Sequence, residues 1–291
     1  MKETGIFFLY LFACLALGAL LTYPVLQTGW VDYDAHRVMS RLSQVFILLG
    51  LWPFLKAMGA GGWPALGYTA PRPQFLRAIG AGWGLGVIIL LALLGMLLLL
   101  QVRVPDAGGE GWIAELAART AKALVGGLLI GLLEETFFRG ALFGAIRRHR
   151  GAASAIFWSA ALYALVHFMK PHSLPDDTVV DLSAIGSIFV GVFTEAFQWK
   201  NLDSAVALLM VGVFLGIVRE RTGHIGWCIG LHAGWVVVIQ LGRYRTDGYP
   251  ASPYAWMAGD SDGTIGWLAA AWSGLRAVIV YWAGGRGVRH P

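Results

Sequence analysis

One stretch of the sequence limits the possible folds more than any other, because it places charged residues inside a long apolar run. The run extends from about residue 124 to 146 and contains Glu134, Glu135 and Arg139. An apolar run of this length can cross a bilayer as one helix. Charged side chains at membrane depth are costly, so they indicate a functional site. The stretch therefore predicts a membrane helix that carries part of an active site.

Helical spacing separates the two glutamates of this stretch. Glu135 and Arg139 are four residues apart, so they share a helix face in the favourable order, with the acid before the base. Glu134 is rotated by about 100° from Glu135 around the helix axis. We therefore expect Arg139 to neutralise Glu135, whereas Glu134 needs a partner from another helix.

The composition of the whole chain is that of a membrane protein. Of its 291 residues, 57% are hydrophobic and 13% are charged, and the mean hydropathy is +0.64. A soluble domain carries about 25% charged residues. The apolar runs predict an all-α fold, a polytopic membrane helix bundle of about eight transmembrane helices. The net charge of +5 comes from basic residues in loops, and no clustered basic face indicates nucleic-acid binding.

The pattern of apolar runs divides the chain into three predicted segments. Residues 1–120 form N-terminal transmembrane helices, residues 121–241 form the catalytic core helices, and residues 242–291 form an interfacial or transmembrane segment. The basic loops around Arg72 and Arg147 are expected on the cytoplasmic side, which places the N-terminus there as well. We therefore predict an integral protein of the cell membrane, in contact with the lipid bilayer.

Glycines recur in two of the predicted helices, and we interpret them as positions of close helix packing. The alternating glycines at 80, 82, 84 and 86 follow no predicted strand and open no βαβ unit, so they do not form a dinucleotide-binding fingerprint. Gly127 and Gly131 lie four residues apart on the helix of Glu134 and Glu135. We expect another helix to approach this face closely.

Two histidines on other predicted helices are candidate partners of Glu134. The helix of Glu134 and the next helix form an antiparallel hairpin that turns near residue 150. Equal rises along both helices place Glu134 opposite about residue 165, which is about half a turn from His167. His232 lies about seven residues into a later helix, or about 10 Å from its end, and is also at membrane depth.

This set of side chains favours hydrolysis without a serine or cysteine nucleophile. A glutamate that faces a histidine can hold and deprotonate a water molecule for attack on a carbonyl. A second histidine can donate a hydrogen bond to the developing oxyanion. A zinc site made of two histidines and a glutamate is an alternative, although the His-Glu-x-x-His motif is absent. A proton-coupled transporter with the glutamates as proton relay is another.

Three motifs, in this order along the chain, resemble those of a known family. They are Glu134-Glu135-x-x-x-Arg139, Tyr163-x-x-x-His167, and His232 after a Thr222-Gly223 turn. The set resembles the CPBP group, the CAAX-protease and bacteriocin-processing, or Abi, intramembrane endopeptidases. The likeness covers residues 121–238. It implies a glutamic-type intramembrane peptidase with an eight-helix core, no metal and no other cofactor.

The resemblance also implies a role for each site residue and a class of substrate. Glu134 and His167 would activate the catalytic water, and His232 would contribute to the oxyanion site. Glu135 and Arg139 would organise the site. The expected partner is a membrane-anchored protein or peptide, cut in or near its membrane segment. Removal of a C-terminal anchor and maturation of a small secreted peptide are both compatible with this chemistry.

The chain departs from the family pattern at two positions. The second motif usually begins with Phe, and here the ring is that of Tyr163. The third motif usually has Asn or Asp four residues after its histidine, where this chain has Val236, which cannot donate to an oxyanion. Gln240, two turns beyond His232, is a weak candidate replacement. The departure keeps an alternative open, in which the chain is a non-catalytic membrane scaffold or immunity protein of the same group.

Two further polar residues lie outside these motifs. Arg276 falls in the last apolar run, and the sequence leaves open whether it contacts lipid headgroups or pairs with a carboxylate. His224 lies in the turn before the helix of His232, where we expect it to be solvated.

Overall fold

We describe the protein from a computed structural model, which covers residues 2–109, 111–175, 178–259 and 263–283. This part of the chain is mostly helical, so the predicted all-α membrane bundle is confirmed. Of the predicted C-terminal segment 242–291, residues 260–262 and 284–291 lie outside the described residues.

The described residues form ten α-helices and one antiparallel pair of short strands. The helices are α1 (Lys2–Gln27), α2 (Ala35–Leu49), α3 (Leu51–Ala57), α4 (Arg72–Leu99), α5 (Trp112–Glu135), α6 (Phe143–Phe168), α7 (Leu182–Thr194), α8 (Leu202–Thr222), α9 (Gly226–Arg245) and α10 (Trp267–Ala283). A π-helical segment, Thr136–Leu142, connects α5 to α6. Strand β1 (Arg103–Pro105) pairs with β2 (Thr246–Gly248), with Val104 opposite Asp247.

Five stretches of the described residues are long and apolar enough to cross a membrane. They are Thr4–Gln27, Ala35–Ala57, Arg72–Leu99, Trp112–Phe168 and Trp199–Thr222. The fourth has 57 residues, or about 85 Å of helix, against a hydrocarbon core of about 30 Å. It therefore contains more than one of the eight predicted helices, and Gly151, with a φ of 80°, breaks it inside α6.

Three of the remaining helices fall outside this set for different reasons. Helices α7 and α10 have only 13 and 17 residues. Helix α9 has 20 residues, but His232, Gln240 and Arg243 reduce its hydropathy. By length and composition, the described residues therefore contain five candidate membrane spans, whereas the apolar runs of the sequence predict about eight helices.

The chain divides into two compact units. The first, called the N-terminal unit, comprises Met1–Gly61 and Ala164–Asn201. In it, α1 packs against α2 and α7. One cluster of its buried residues consists of Ala35, Met39, Ile185 and Ile188.

The second unit, called the core unit, comprises Gly62–Tyr163 and Leu202–Pro291. Helix α9 is its central element and packs against α4, α5 and α8, while α10 packs against α8. Glycines allow the close contact of α4 with α9. A Cβ atom would lie 2.8 Å from the Trp227 carbonyl oxygen at Gly82, and 2.5 Å from the Leu231 carbonyl oxygen at Gly86. The predicted packing role is confirmed at these two positions, whereas 80 and 84 face open space.

Glycines also allow the close packing of α5 against α9. A Cβ atom at Gly127 would lie 2.9 Å from the carbonyl oxygen of Ala233, and one at Gly131 would lie 2.9 Å from that of Ile229. The prediction that another helix approaches this face is therefore confirmed. The contact aligns the C-terminal end of α5, which carries both glutamates, with the first half of α9.

Candidate active site

The backbone changes from α-helical to π-helical directly after the two glutamates. Helix α5 ends at Glu135, and the π-helical segment runs from Thr136 to Leu142. Such segments are rare and often occur at functional sites. Gly140 lies in this segment, and a Cβ atom there would be 2.7 Å from the Leu66 carbonyl oxygen. The loop that precedes α4 therefore packs directly against the π-helical segment.

Glu135 is the centre of a buried polar cluster. Its side chain is 0% exposed, and its Oε1 accepts hydrogen bonds from Arg139 Nη1 at 3.2 Å and pairs with His232 Nδ1 at 2.8 Å. Arg139 is also 0% exposed and donates from Nη2 to the Gly212 carbonyl oxygen at 3.4 Å. The predicted ion pair between Glu135 and Arg139 is therefore confirmed, and it extends to α8 and α9.

Glu134 points to the other side of the same histidine. Its side chain is 33% exposed, and its Oε2 lies 3.8 Å from His232 Nε2. The imidazole of His232 thus lies between the two glutamates, with one ring nitrogen toward each. The expectation that Glu134 points away from the Glu135–Arg139 pair agrees with this geometry, and the nearby partner in the core unit is His232.

Aromatic rings enclose the cluster. The ring of Tyr163 lies edge-to-face against the rings of His232, at 6.2 Å, and of Phe138, at 5.2 Å. The guanidinium carbon of Arg139 lies 4.4 Å from the centre of the Tyr163 ring. The first residue of the second sequence motif therefore contacts members of the first and the third.

His167 lies in the last turn of α6, four residues after Tyr163. It belongs to the N-terminal unit. It is partly buried. Its role as the partner of Glu134 in activating water stays a prediction.

The two positions considered for an oxyanion donor on α9 lie outside the polar cluster. Val236 packs against α5, where its Cβ would lie 3.4 Å from a Cβ atom at Gly127. Gln240 is exposed. Val236 thus serves the close contact between α5 and α9, and His232 stays the predicted oxyanion donor.

The sequence motifs missed Tyr68, which holds the start of the π-helical segment. Its hydroxyl and that of Thr136 are 2.6 Å apart and share a hydrogen bond, and Thr136 directly follows Glu135. Burial raises the pKa of the Tyr68 phenol, and the bond to Thr136 offsets part of the rise. Nothing in the sequence pattern links these two residues, because they are 68 positions apart.

The expectation that His224 is solvated is wrong. The residue is 6% exposed, and its Nδ1 accepts a hydrogen bond from the Gly226 N–H at 3.2 Å. Burial, and to a smaller extent the charge of Arg219, lower the pKa of its imidazole. The position of His224 in a turn predicts an exposed side chain. The turn, however, lies against α4, and the centre of the Phe75 ring is 5.8 Å from that of the imidazole.

The arrangement resembles an acid–base site more than a metal site. One glutamate is partly exposed and close to an imidazole, while the other glutamate fixes that imidazole from the opposite side. Within the described ranges, no group of three or more His, Cys, Asp or Glu side chains is arranged to hold a metal ion. A general base must lie within hydrogen-bond reach of the proton that it takes, directly or through one water molecule, and the 3.8 Å between Glu134 Oε2 and His232 Nε2 is longer than a direct hydrogen bond.

Comparison with known proteins finds a family similar to the central segment of the chain. Residues 116–238 match the family model of type II CAAX prenyl endopeptidases described as Rce1-like. The match confirms the resemblance drawn from the three motifs, and it covers less than half of the 291 residues. Neither the curated proteins nor the solved structures contain a significant match to the chain. With its apolar helices, the chain is an integral membrane protein.

Proposed function

We propose that this chain is a glutamic intramembrane endopeptidase, related to the Rce1-like type II CAAX prenyl endopeptidases whose family model matches residues 116–238. It hydrolyses a peptide bond in or near the membrane segment of an anchored protein or peptide. The observation that carries the proposal is the position of His232 between a partly exposed and a fully buried glutamate.

Glu134 acts as the general base in this proposal. Its side chain is 33% exposed, against 0% for Glu135, and its buried Oε2 has no hydrogen-bond partner within the described residues, so this oxygen is free to accept the proton of a water molecule. It takes a proton from the attacking water, whose oxygen adds to the scissile carbonyl carbon. The proton then passes to the leaving amine as the carbon–nitrogen bond breaks. His167 holds the water together with Glu134, as the resemblance implies.

His232 stabilises the developing oxyanion. Its Nδ1–H donates to Glu135, so its Nε2 must carry a second proton to donate to the oxyanion. The imidazole is then positively charged. The net charge of the cluster is then zero, because the two carboxylates of Glu134 and Glu135 balance the charges of Arg139 and His232. Paired charges of this kind are what makes a buried ionic cluster tolerable. Glu135 and Arg139 therefore position His232 and do not touch the substrate.

The experiment compares membrane-protein termini in cells that carry the native chain or Glu134→Gln at equal abundance. We expect termini that depend on the native chain, that are lost in Glu134→Gln and that persist in the presence of a metal chelator. Glu115→Gln is the matched control, because Glu115 is an exposed glutamate at the other end of α5. It should retain every terminus.

The same experiment separates this proposal from a non-catalytic scaffold or immunity protein. Val236, in place of a side chain that donates hydrogen bonds, is the observation that favours a scaffold. If no terminus depends on the chain and Glu134→Gln keeps the cellular phenotype, the scaffold is the better account. Proton-coupled flux in liposomes that survives His232→Ala would instead favour a transporter.

We also propose that the protein lies in the cell membrane with its N-terminus in the cytoplasm. The basic residues near the start of α4 and between the two halves of α6 then face the cytoplasm, as the positive-inside rule requires. Membrane-impermeant labelling of a cysteine placed at Arg148, which is exposed, should occur only after the membrane is opened. Labelling of intact cells at this position would reverse the orientation.

A further inference from the structure

A polar cavity lies on the N-terminal unit, where the loop after α1 meets the start of α2, and the proposed mechanism does not use it. Its volume is about 480 Å³, within the range of about 300–1,000 Å³ that is typical of small-molecule sites. Its lining consists of five polar side chains: Tyr33, Arg37, Ser40, Arg41 and Gln44. They present two guanidinium groups, two hydroxyls and an amide, and none of the five is a carboxylate. The cavity is therefore suited to an anion.

Among the described side chains, only Arg37 of the two arginines is paired with an acid. Its Nε lies 3.2 Å from Asp34 Oδ2, and Asp34 is not one of the lining residues. Arg41 Nη1 donates to Gln44 Oε1 at 3.0 Å, and none of the described carboxylates forms an ion pair with Arg41. Arg41 thus brings an uncompensated positive charge to the cavity, and a phosphate oxygen is a strong acceptor for a guanidinium.

The position of the cavity along α2 places it near the level of the lipid headgroups. The helix begins at Ala35, which is also the first residue of the candidate span Ala35–Ala57. Arg41 is the seventh residue of the helix, about 9 Å along its axis, and the headgroup layer on each side of the hydrocarbon core is about 5–8 Å thick. A long arginine side chain extends its charge toward that layer. In the loop before α2, Trp30 is 90% exposed and Tyr33 is 65% exposed, as is typical of aromatic residues at a membrane interface.

The apolar continuation of the same helix face favours a lipid over a soluble anion. Val45 follows Arg41 by four residues and Leu48 follows Gln44 by four, so each pair shares a face of α2. Val45 is 48% exposed and Leu48 is 53% exposed, which leaves both available to acyl chains. Along this face, polar side chains are followed by apolar ones toward the middle of the span. A phospholipid has the same order, with its phosphate at the interface and its chains below it.

We propose that this cavity binds the phosphate of an anionic phospholipid, with Arg41 as the main ligand. The hydroxyls of Tyr33 and Ser40 donate further hydrogen bonds, and the acyl chains follow the apolar part of the same helix face. Arg37 contributes less, because it already pairs with an acid. A free phosphate ion carries the same chemistry, and the experiment below distinguishes the two sources. The proposal is independent of the endopeptidase function, since it uses no residue of the buried polar cluster.

The test measures bound lipid and requires no turnover. The full chain is delipidated in dodecyl maltoside and titrated with phosphatidylglycerol or phosphatidylcholine of identical acyl chains, and native mass spectrometry gives the bound fraction. Phosphatidylcholine is the reference, because its choline group neutralises the phosphate. We expect the first phosphatidylglycerol to bind with a Kd roughly tenfold lower than that of phosphatidylcholine, as for one charged hydrogen bond. Inorganic phosphate at the same concentrations should not be retained.

Variants assign the preference to the cavity. Arg41→Gln should reduce it to less than twofold, and Arg41→Lys, which keeps the charge but not the planar guanidinium, should keep part of it. Arg77→Gln is the matched control, because Arg77 is also exposed and is the sixth residue of α4, near the start of another candidate span. It removes the same charge from a different place and should keep the full preference. Arg41 is exposed, so we expect its variants to fold, and an unchanged midpoint of unfolding in SDS verifies this.

Four results would overturn the proposal. Equal binding of the two lipids by the native chain excludes selectivity for an anion, and an unchanged preference in Arg41→Gln excludes this cavity as its source. An equal loss in Arg41→Gln and Arg77→Gln shows that the preference follows the net charge of the chain and not a site. Retention of inorganic phosphate that depends on Arg41 and displaces phosphatidylglycerol assigns the cavity to a soluble anion. None of these measurements involves Glu134, so they leave the test of the proposed activity unaffected.

Discussion

The buried pair of Glu135 and Arg139 allows a sharp test of how the site is held together, because the chain contains an exposed pair with the same spacing. Arg139→Gln leaves Glu135 as a buried carboxylate with no guanidinium. Loss of one partner of a buried pair costs about 3–5 kcal/mol in free energy of unfolding. His232 Nδ1, 2.8 Å from the carboxylate, can still stabilise it, so we expect a value near the lower end, about 3 kcal/mol.

The matched control is Arg119→Gln in α5, the helix that ends at Glu135. Arg119 and Glu115 are also four residues apart, with N–O contact at 2.6 Å, but both side chains are about half exposed. Exposed pairs contribute little, because water and salt screen them. We therefore expect no measurable change in stability for Arg119→Gln, although its contact is 0.6 Å shorter than that of Arg139 at 3.2 Å.

The assay is unfolding in mixed micelles with increasing SDS, followed by the fluorescence of the 13 tryptophans. The double variant Glu135→Gln/Arg139→Gln should recover part of the loss, since it removes the uncompensated carboxylate as well. Equal losses of unfolding free energy in Arg139→Gln and Arg119→Gln would refute the stabilising role of the buried pair. It is also refuted if the double variant is as unstable as the sum of the two single changes.

Other predictions follow from the packing and from the turn before α9. Gly127→Ala should destabilise the core unit by about 1–3 kcal/mol, because the new methyl would lie 2.9 Å from a carbonyl oxygen of α9, whereas Gly126→Ala meets open space and should be neutral or stabilising in the same SDS titration. The lowered pKa of His224 predicts that the free energy of unfolding falls as the pH drops below about 6.5, where the unfolded chain takes up the proton first; an unchanged slope in His224→Gln would contradict this. Tyr68→Phe removes the bond to Thr136 and should slow cleavage without weakening substrate binding, as measured by separate kcat and KM values.

The parts of the site that follow from local spacing could be predicted from the sequence. The pairing of Glu135 with Arg139 depends only on residues within one helical turn, and the structure confirms it. The close approach at Gly127 and Gly131 depends on small residues that repeat on one face, and it is also confirmed. Both features need no knowledge of which helix lies opposite.

The parts that depend on the choice of neighbour could not be predicted in the same way. Counting the helical rise along one hairpin predicts that His167 lies opposite Glu134. The same count cannot be made for His232, because its helix is not part of that hairpin. The contact of Glu134 and Glu135 with His232 arises from the glycine-mediated packing of α5 on α9. Two helices that are distant in sequence meet there, and the spacing of residues within one helix does not indicate which other helix packs against it.

The π-helical segment could not be predicted from the sequence pattern either, and it begins directly after the two glutamates. An α-helix would place Glu134 and Glu135 about 100° apart, so a single imidazole can face both only from a position between them. Glu135 is the last residue of α5, which packs on α9, whereas the π-helical segment that follows contacts the loop before α4 through Thr136 and Gly140. His232 takes that position: Nδ1 pairs with Glu135, which also binds Arg139, and Nε2 faces the partly exposed Glu134, the proposed general base.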